Sequence, residues 1–535
     1  MSESLRILVT DPLAEEGIQL LQSANQVKVD VKTKLPPEEL LKIIGDYDGL
    51  IVRSSTQVTR EVLEKAAKLK VIGRAGAGLD NVDVEAASKR GIVVMNAAGG
   101  NTISTAEHTM SMIMALSRSI PQATASVKRG EWNRTAFMGV ELYGKFLGII
   151  GLGRIGAEVA KRALAFGMRI LAYDPHLLEE KVRELDVQPV NTLEELLKKA
   201  DYITVHVPLT DETRDLIGEK EFGLMKKGVR LINCARGGII NEAALAQAIR
   251  SGEVAGAALD VFEKEPPVNR ELVDLPQVIV TPHLGASTEE AQKSVAKEIA
   301  VSVRDCLLGL GIRNAVNVPS VDSEVLKLIE PYIRLAERMG TLQTQLTEGR
   351  IKEVRIRYVG EITRFDLAPA TQAFIKGLLT PILQETVNYV SASVIAKERG
   401  IKVIESKSTE MEDFSNLVLT VVETDKRKTE IRGTLFTRSE PRIVQMDDFR
   451  VETIPSGWVL IVRNVDRPGM VGQFGTILGS NGINIGWLNF GRNRQGGEAL
   501  MAFNVDQPIP QELVEKIRRL PGVLDVKLVK LPNGT

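Results

Sequence analysis

One stretch near the middle of the chain restricts the fold more than any other. Leu147–Ile150 is an apolar run, Gly151-Leu152-Gly153-Arg154-Ile155-Gly156 a glycine-rich turn, Ala157–Phe166 a helical stretch, and Arg169–Tyr173 a second apolar run ending in Asp174. Strand, G-x-G-x-x-G turn, helix and strand with a terminal acid are the parts, in order, of a nucleotide-binding βαβ unit. In such a unit Gly151 permits the tight turn, Gly153 lets the backbone approach a pyrophosphate, and Gly156 allows close helix–strand packing. The helix start, at Arg154 and Ile155, offers unsatisfied N–H groups to phosphates. Asp174, about 20 residues past the last glycine, can accept hydrogen bonds from ribose hydroxyls and repels the extra phosphate of NADP. The expected cofactor is therefore NAD.

The surroundings of this unit repeat its rhythm. From Leu5 to Asn96, short β-rich runs alternate with helical stretches such as Pro37–Ile44 and Arg60–Ala67, predicting parallel βα units. A single long helix is expected from about Ser104 to Arg129, then a second alternating series from Phe146 to Thr281, a helix over Ser287–Leu310, and a linker at Asn314–Ser320. Beyond it the pattern becomes α+β, with helices at Glu324–Gln345 and around Thr371–Arg399 and strands between Leu417 and Val451. The last stretch reads strand, helix, two strands, helix, strand, the βαββαβ order of a ferredoxin-like unit. At 535 residues the chain is too long for one core, as these divisions require.

Charge and cysteine usage exclude several function classes. Lys+Arg (68) nearly balances Asp+Glu (69), so no overall basic field draws the chain to nucleic acid or an anionic membrane. No apolar run is long enough to span a bilayer, and the N-terminus reads as neither signal nor transit segment. Cys234 and Cys306 lack CxxC spacing, which fits a reducing compartment and gives no disulfide framework; a cytoplasmic location is expected. The four histidines have no metal-binding spacing, and no metal is expected. His108 reads as a packing or capping residue, and His176 and His206 as framing the cofactor site.

The candidate chemistry lies after strands of the second series. Arg236 follows Val229–Asn233 in NCARGGIINEAAL, Glu265 lies in LDVFEKEPP, and His283 lies in TPHLGASTEEAQ. Oxidising a hydroxy acid needs a base for the hydroxyl proton, a cation for the carboxylate and a group that holds the base in place. Ligands of open α/β sheets bind beyond the C-terminal strand ends, where these three residues fall.

With GLGRIG, these three motifs resemble the D-isomer-specific 2-hydroxyacid dehydrogenase family over nearly all of residues 1–317. The resemblance implies that His283 is the general acid/base, that Glu265 orients it, and that Arg236 binds the substrate carboxylate. It also implies cofactor contacts at Arg154, Ile155, Cys234, Ala235, Arg236, Asp260, His283 and Gly285, with Cys234 a small buried group near the nicotinamide. The fold implied is a Rossmann-type NAD domain (99–282) inserted in a flavodoxin-like substrate domain (1–98 and 283–317). An α+β intervening domain (318–452) and a ferredoxin-like βαββαβ ACT domain (457–531) follow.

The catalytic trio does not choose among hydroxy acids. Arg53-Ser54-Ser55-Thr56, GRAGAGLDNVD and GGNTISTAEH resemble the phosphoglycerate dehydrogenase branch, in which Arg53, Ser54 and Asn101 would contact 3-phosphoglycerate. In RGEWNR, Trp132 and Arg134 would reach a neighbouring subunit, or equally would end an amphipathic helix. The formate-oxidising branch has glutamine at the position of Glu265, which counts against formate. The segment NVDRPGM, followed by GINI, resembles ACT regulatory domains, with Asn464, Asp466 and Asn484 at the polar positions that would bind an amino-acid effector. Together these parts resemble the long form of that branch, which implies serine as effector, a place at the start of serine synthesis and a tetramer. Alternatives are another 2-hydroxy acid, such as glycerate, and an NAD-dependent binding protein without enzymatic activity.

Overall fold

The computed structural model describes residues 4–175, 179–268, 270–319, 323–383, 387–410 and 413–533. His176 lies outside them. Among the described residues, four sheets follow one another along the chain.

The first sheet comprises β1 (Leu5–Val9), β2 (Val27–Val31), β3 (Gly49–Val52), β4 (Val71–Arg74) and β5 (Val93–Asn96), all parallel in the order β2-β1-β3-β4-β5. This is the flavodoxin-like order. A parallel sheet is covered on both faces, so its strands are continuously apolar, as in the fully buried Gly49-Leu50-Ile51-Val52. Side chains of alternate residues divide between two cores. Leu8, Leu50, Val52 and Ile72 face one. Ile7, Val9, Ile51 and Val71 face the other, together with Val295, Ile299 and Val303 of the helix Glu289–Leu307. The chain thus returns to its first lobe after completing the second.

The second sheet comprises β6 (Phe146–Ile150), β7 (Arg169–Tyr173), β8 (Gln188–Pro189), β9 (Tyr202–Val205), β10 (Val229–Asn233), β11 (Val254–Leu259) and β12 (Val278–Val280). Its parallel order, β12-β11-β10-β9-β6-β7-β8, reverses direction between β6 and β9, as in a Rossmann sheet. The expected long helix before it is two, Thr102–Arg118 and Ile120–Lys128. Ser119 between them is left-handed (φ 49°), and Pro121, which has no N–H to continue a helix, opens the second.

The third sheet contains β13 (Ile351–Gly360), β14 (Lys402–Ser408), β15 (Asn416–Thr424), β16 (Lys428–Phe436) and β17 (Glu440–Met446) in the order β14-β13-β15-β16-β17. The fourth contains β18 (Gly457–Val465), β19 (Ile485–Arg492), β20 (Glu498–Val505) and β21 (Val523–Leu531), antiparallel in the order β19-β20-β18-β21. With the helices Met470–Ser480 and Gln511–Arg518 it forms the βαββαβ unit.

These two sheets are not separate in packing. Val459, Ile461, Ala502 and Val529 of the fourth share one core with Leu335, Met339 and Leu342 of the helix Ser323–Leu346 and with Val354 and Ile356 of β13. Leu460, Val462 and Phe503 face a second core against Phe474 and Leu478. The stretch Asn314–Ser320, expected as a linker, is stitched down in its described part. The Asn317 side chain accepts from Val94 N–H and donates to Ile92 O and Ser88 Oγ, at 2.8–2.9 Å.

Candidate active site

The C-terminal strand ends of the first two sheets meet across a cavity of about 700 Å³. The first lobe contributes Arg53 and Ser54 after β3, Arg74 at the end of β4, and Asp80. The second contributes Arg236 after β10, Glu265 after β11 and His283 after β12, and Asn101 stands beside them. Placement beyond strand ends follows from parallel topology, since only the loops there are free to present side chains to a shared cleft.

His283 Nδ1 lies 2.9 Å from Glu265 Oε2. Burial alone would raise the Glu265 carboxyl, but its hydrogen bond to His283 and the charge there outweigh that effect and hold it below the usual range. Phe262 N–H donates to the second Glu265 oxygen at 3.3 Å, which fixes the carboxylate as a buttress for one ring nitrogen. His283 itself is left-handed (φ 57°), a conformation uncommon outside glycine, and the turn around it is tied down. Its N–H donates to the Asp260 carbonyl at 2.9 Å. The fully buried Asp260 carboxylate accepts from Thr281 Oγ1 (2.5 Å), Leu284 N–H (2.7 Å) and Gly285 N–H (2.9 Å), with His108 Nε2 at 3.2 Å. Ser104 and Thr105 hydroxyls in turn donate to the Gly285 carbonyl. Asp260, which the resemblance implies as a cofactor contact, is also the buckle of the histidine turn, and His108 is polar support for it rather than a packing or capping residue.

The Cys234-Ala235-Arg236 turn is shaped by the buried Asn233. Its amide donates to Arg236 O at 2.8 Å and accepts from Ala235 N–H at 3.0 Å. Burial, aided by the charge of Asp260, pushes the Cys234 thiol up to about 12, so it is no thiolate nucleophile. Arg236 Nε donates to Asp80 Oδ2 at 3.0 Å, across the cleft between the lobes.

The glycine-rich turn fits a dinucleotide. Gly151 is left-handed (φ 92°), and a side chain on it would press within 2.7 Å of the His206 carbonyl. A Cβ on Gly156 would lie 2.2 Å from the Gly151 carbonyl, whereas one on Gly153 would meet open space, the room a phosphate backbone needs. Arg154 and Ile155 begin the helix Arg154–Ala165 at this opening. Asp174 follows β7, and its Oδ2 accepts from Leu152 N–H at 2.9 Å, so the acid is locked to the turn. His206 lies behind Gly151, pushed down to about 4 by burial and therefore neutral at physiological pH.

Several residues that build the cavity were not singled out in the sequence. Arg74 is a largely buried guanidinium lowered to about 10, first by burial and then by the nearby Arg236 and Arg53. Its Nε and Asn101 Oδ1 have no hydrogen-bond partner among the described residues, and both side chains line the cavity. Arg74 ends a strand, as Arg236 follows one, so the strand-end rule could have found it. The loop carrying Arg53 and Ser54 is held by buried Asp11, whose Oδ2 accepts from Arg53 N–H at 2.6 Å, and by Asn81, whose amide donates to the Arg53 and Thr56 carbonyls at 2.6 Å.

Other candidates lie elsewhere. Arg134 is exposed, outside the cavity of its own chain. In the fourth sheet, Asn464 is fully buried with an unpartnered Oδ1, and Asp466 accepts from Gly496 N–H and Arg492 Nη1. Asn484 donates to Asp506 at 2.6 Å at the other end of the sheet. The pairing Asn464↔Ala499, against Ile485↔Val505, keeps it from the first two within one chain. Among the described residues no cluster of three or more His, Cys, Asp or Glu could hold a metal ion, and no helix is long and apolar enough to cross a membrane.

A nucleotide cradle facing a carboxylate-buttressed histidine and an arginine defines an NAD-dependent 2-hydroxy acid oxidoreductase. Accordingly, the D-isomer specific 2-hydroxyacid dehydrogenase NAD binding domain matches residues 110–285. The D-3-phosphoglycerate dehydrogenase intervening domain matches residues 328–447, and the ACT domain residues 458–522. D-3-phosphoglycerate dehydrogenase of Methanocaldococcus jannaschii is 48% identical over 98% of this chain and 100% of its own, and that of Bacillus subtilis 44% identical over the same shares. Among solved structures, the TT0316 protein of Thermus thermophilus aligns with TM-score 0.54 and 36% identity, over 58% of this chain and all of its own. A D-lactate dehydrogenase of Aquifex aeolicus complexed with NAD and lactic acid aligns with TM-score 0.51 and 30% identity, over 59% of this chain and all of its own. The chain belongs to the D-3-phosphoglycerate dehydrogenase family.

Proposed function

We propose that the chain oxidises 3-phosphoglycerate to 3-phosphohydroxypyruvate, with His283 as general base, Glu265 as its orienting partner and Arg236 as carboxylate ligand. The observation that carries this reading is the convergence of Arg53, Arg74 and Arg236, from two lobes, on the cavity that holds His283. A substrate with a carboxylate at one end and a phosphate at the other needs cations at both ends and a base between them. NAD, held at the Gly151–Gly156 turn, would supply the acceptor for the hydride that leaves C2. His283 takes the C2 hydroxyl proton as the C=O bond forms, and the Glu265 carboxylate stabilises the resulting imidazolium. Arg236 holds the carboxylate beside the reacting carbon. Arg53, Ser54, Arg74 and Asn101 take the phosphate end. Gly151, Gly153, Arg154, Ile155, Gly156 and Asp174 would hold the cofactor's phosphates and ribose, and the Cys234–Arg236 and His283–Gly285 turns would contribute further contacts to it.

The reaction would open serine synthesis, with serine as the effector of the ACT domain. Asn464 and Asp466 offer polar groups at one sheet end, and Asn484 can join them only from a second copy. Homo-oligomerisation is supported by Trp132, Met138 and Tyr143, which are 78–84% exposed on the stretch that also carries Arg134, and a tetramer is the assembly proposed. Two free thiols fit a reducing, cytoplasmic setting.

Formation of NADH from NAD and 3-phosphoglycerate, with glycerate and lactate as controls, tests the assignment, and serine added to the same assay is expected to slow it. Turnover selective for the phosphorylated acid is the expected result. Bound NADH without turnover of any of the three acids would instead favour a binding protein. Arg74→Gln is expected to raise KM for 3-phosphoglycerate about 10–100-fold, the worth of a charge-assisted hydrogen bond, with much less effect on kcat. An unchanged KM would remove Arg74 from the substrate site.

A further inference from the structure

Arg236 is held from both lobes. Its Nη1 donates to the neighbouring Ala235 carbonyl at 2.6 Å, while Nε donates across the cleft to Asp80 of the other lobe at 3.0 Å. We propose that Asp80 is a positioning residue that turns the Arg236 guanidinium toward the substrate carboxylate, so that both lobes build the carboxylate subsite. This rests on the assignment of Arg236 as carboxylate ligand.

A guanidinium is planar with five N–H donors, and a carboxylate is best bound by two of them side by side. Pinning Nε and one Nη1 donor fixes the plane and leaves the other three for a ligand. Gly78 shows how close the fit is. A Cβ there would stand 2.0 Å from Arg236 Nη2 and 2.8 Å from Asp80 Oδ2, so the pair lies against a backbone that only glycine leaves bare. Arg236 also shares the cavity with Arg53 and Arg74, whose like charges push it away, and Asp80 offsets them. Stability is a poor explanation for the pair, because the Asp80 side chain is 63% exposed and solvent-screened bridges contribute little. Joining residues of different lobes, it also ties the aim of Arg236 to their approach.

The test compares Asp80→Ala, Asp80→Asn and Gly78→Ala with the parent enzyme, measuring kcat and KM for 3-phosphoglycerate and NADH affinity by fluorescence. Asp80→Ala is expected to raise KM about tenfold with kcat within about threefold, because the carboxylate ligand remains but is no longer aimed. NADH affinity should stay at the parent value. Asp80→Asn, which keeps a neutral acceptor, should fall between, and Gly78→Ala should raise KM without touching either charge. A parent-like KM in Asp80→Ala overturns the proposal, as does a parallel loss of NADH affinity, which would mark general damage to the cleft. Should the parent oxidise a different 2-hydroxy acid, the phosphoglycerate assignment falls, and the same ratios measured with that acid decide the role of Asp80.

Discussion

Replacing His283 by asparagine is expected to lower kcat/KM for the hydroxy acid about 10³–10⁴-fold, the upper part of the range for loss of a general base, and to leave NADH binding intact. Asparagine is the informative substitute because His283 is left-handed, and asparagine tolerates that backbone better than alanine does. The turn should therefore survive, with its N–H still bonded to the Asp260 carbonyl and Asp260 still bonded to Leu284 and Gly285. What disappears is the imidazole that Glu265 buttresses from 2.9 Å. The measurement pairs steady-state rates with NADH fluorescence titration and with thermal unfolding. Lost turnover with retained NADH affinity and retained unfolding temperature assigns the loss to chemistry. A variant that still turns over within tenfold of the parent would remove His283 from the proton transfer, and Glu265 would then be the base to test.

Legibility from sequence followed the range of each interaction. The roles of Gly151, Gly153 and Gly156 could be read because they depend on a local strand–turn–helix path, and the structure gives each the predicted space. Arg236, Glu265 and His283 fall after strand ends, where as a rule parallel sheets present ligand groups, took their roles from the family resemblance, and line a common cavity. What the rule lacked was reach across the lobes. Asp80 is 156 residues from Arg236, and Asp11 is 42 from Arg53; no periodicity marks such pairs. Asp260 was expected only as a cofactor contact implied by the resemblance, because its service to Thr281, Leu284 and His108 depends on a buried side chain whose partners are fixed only by folding. The fourth sheet carried an unused signal. Val459-Leu460-Ile461-Val462 is apolar at every position, the pattern of a strand covered on both faces, and one of those faces is the shared core with the intervening helix. The register puts Asn464 and Asn484 at opposite ends of the sheet within one chain, which strand order alone does not reveal.

Asp260→Ala is expected to combine a large loss of stability with a large loss of activity. The parent carboxylate is fully buried and satisfies the Thr281 hydroxyl, two backbone N–H groups and His108. Removing it leaves buried donors without acceptors, and an exchange of this kind costs about 3 kcal/mol or more. In a lobe of this size that lowers the unfolding temperature by about 6–12 °C, readable by differential scanning fluorimetry. Activity should fall about hundredfold as well, because the His283 turn would lose the anchors on both following N–H groups, and small misplacements of a catalytic group have that effect. The pH dependence separates this from ordinary cavity formation. Burial works to raise the Asp260 carboxyl, but the bonds from His108, Thr281 and Leu284 N–H prevail and hold it below its usual range. A group depressed on folding stabilises the native state fully above its unfolded pKa, about 4 for aspartate, and loses that contribution as pH falls through the lower folded value. The gap in unfolding temperature between parent and Asp260→Ala should hence be constant above about pH 5 and narrow below about pH 4. A gap that stays the same down to the acid limit would mean that only packing was lost, and a variant with parent-like stability and rate would show that the histidine turn needs no buckle.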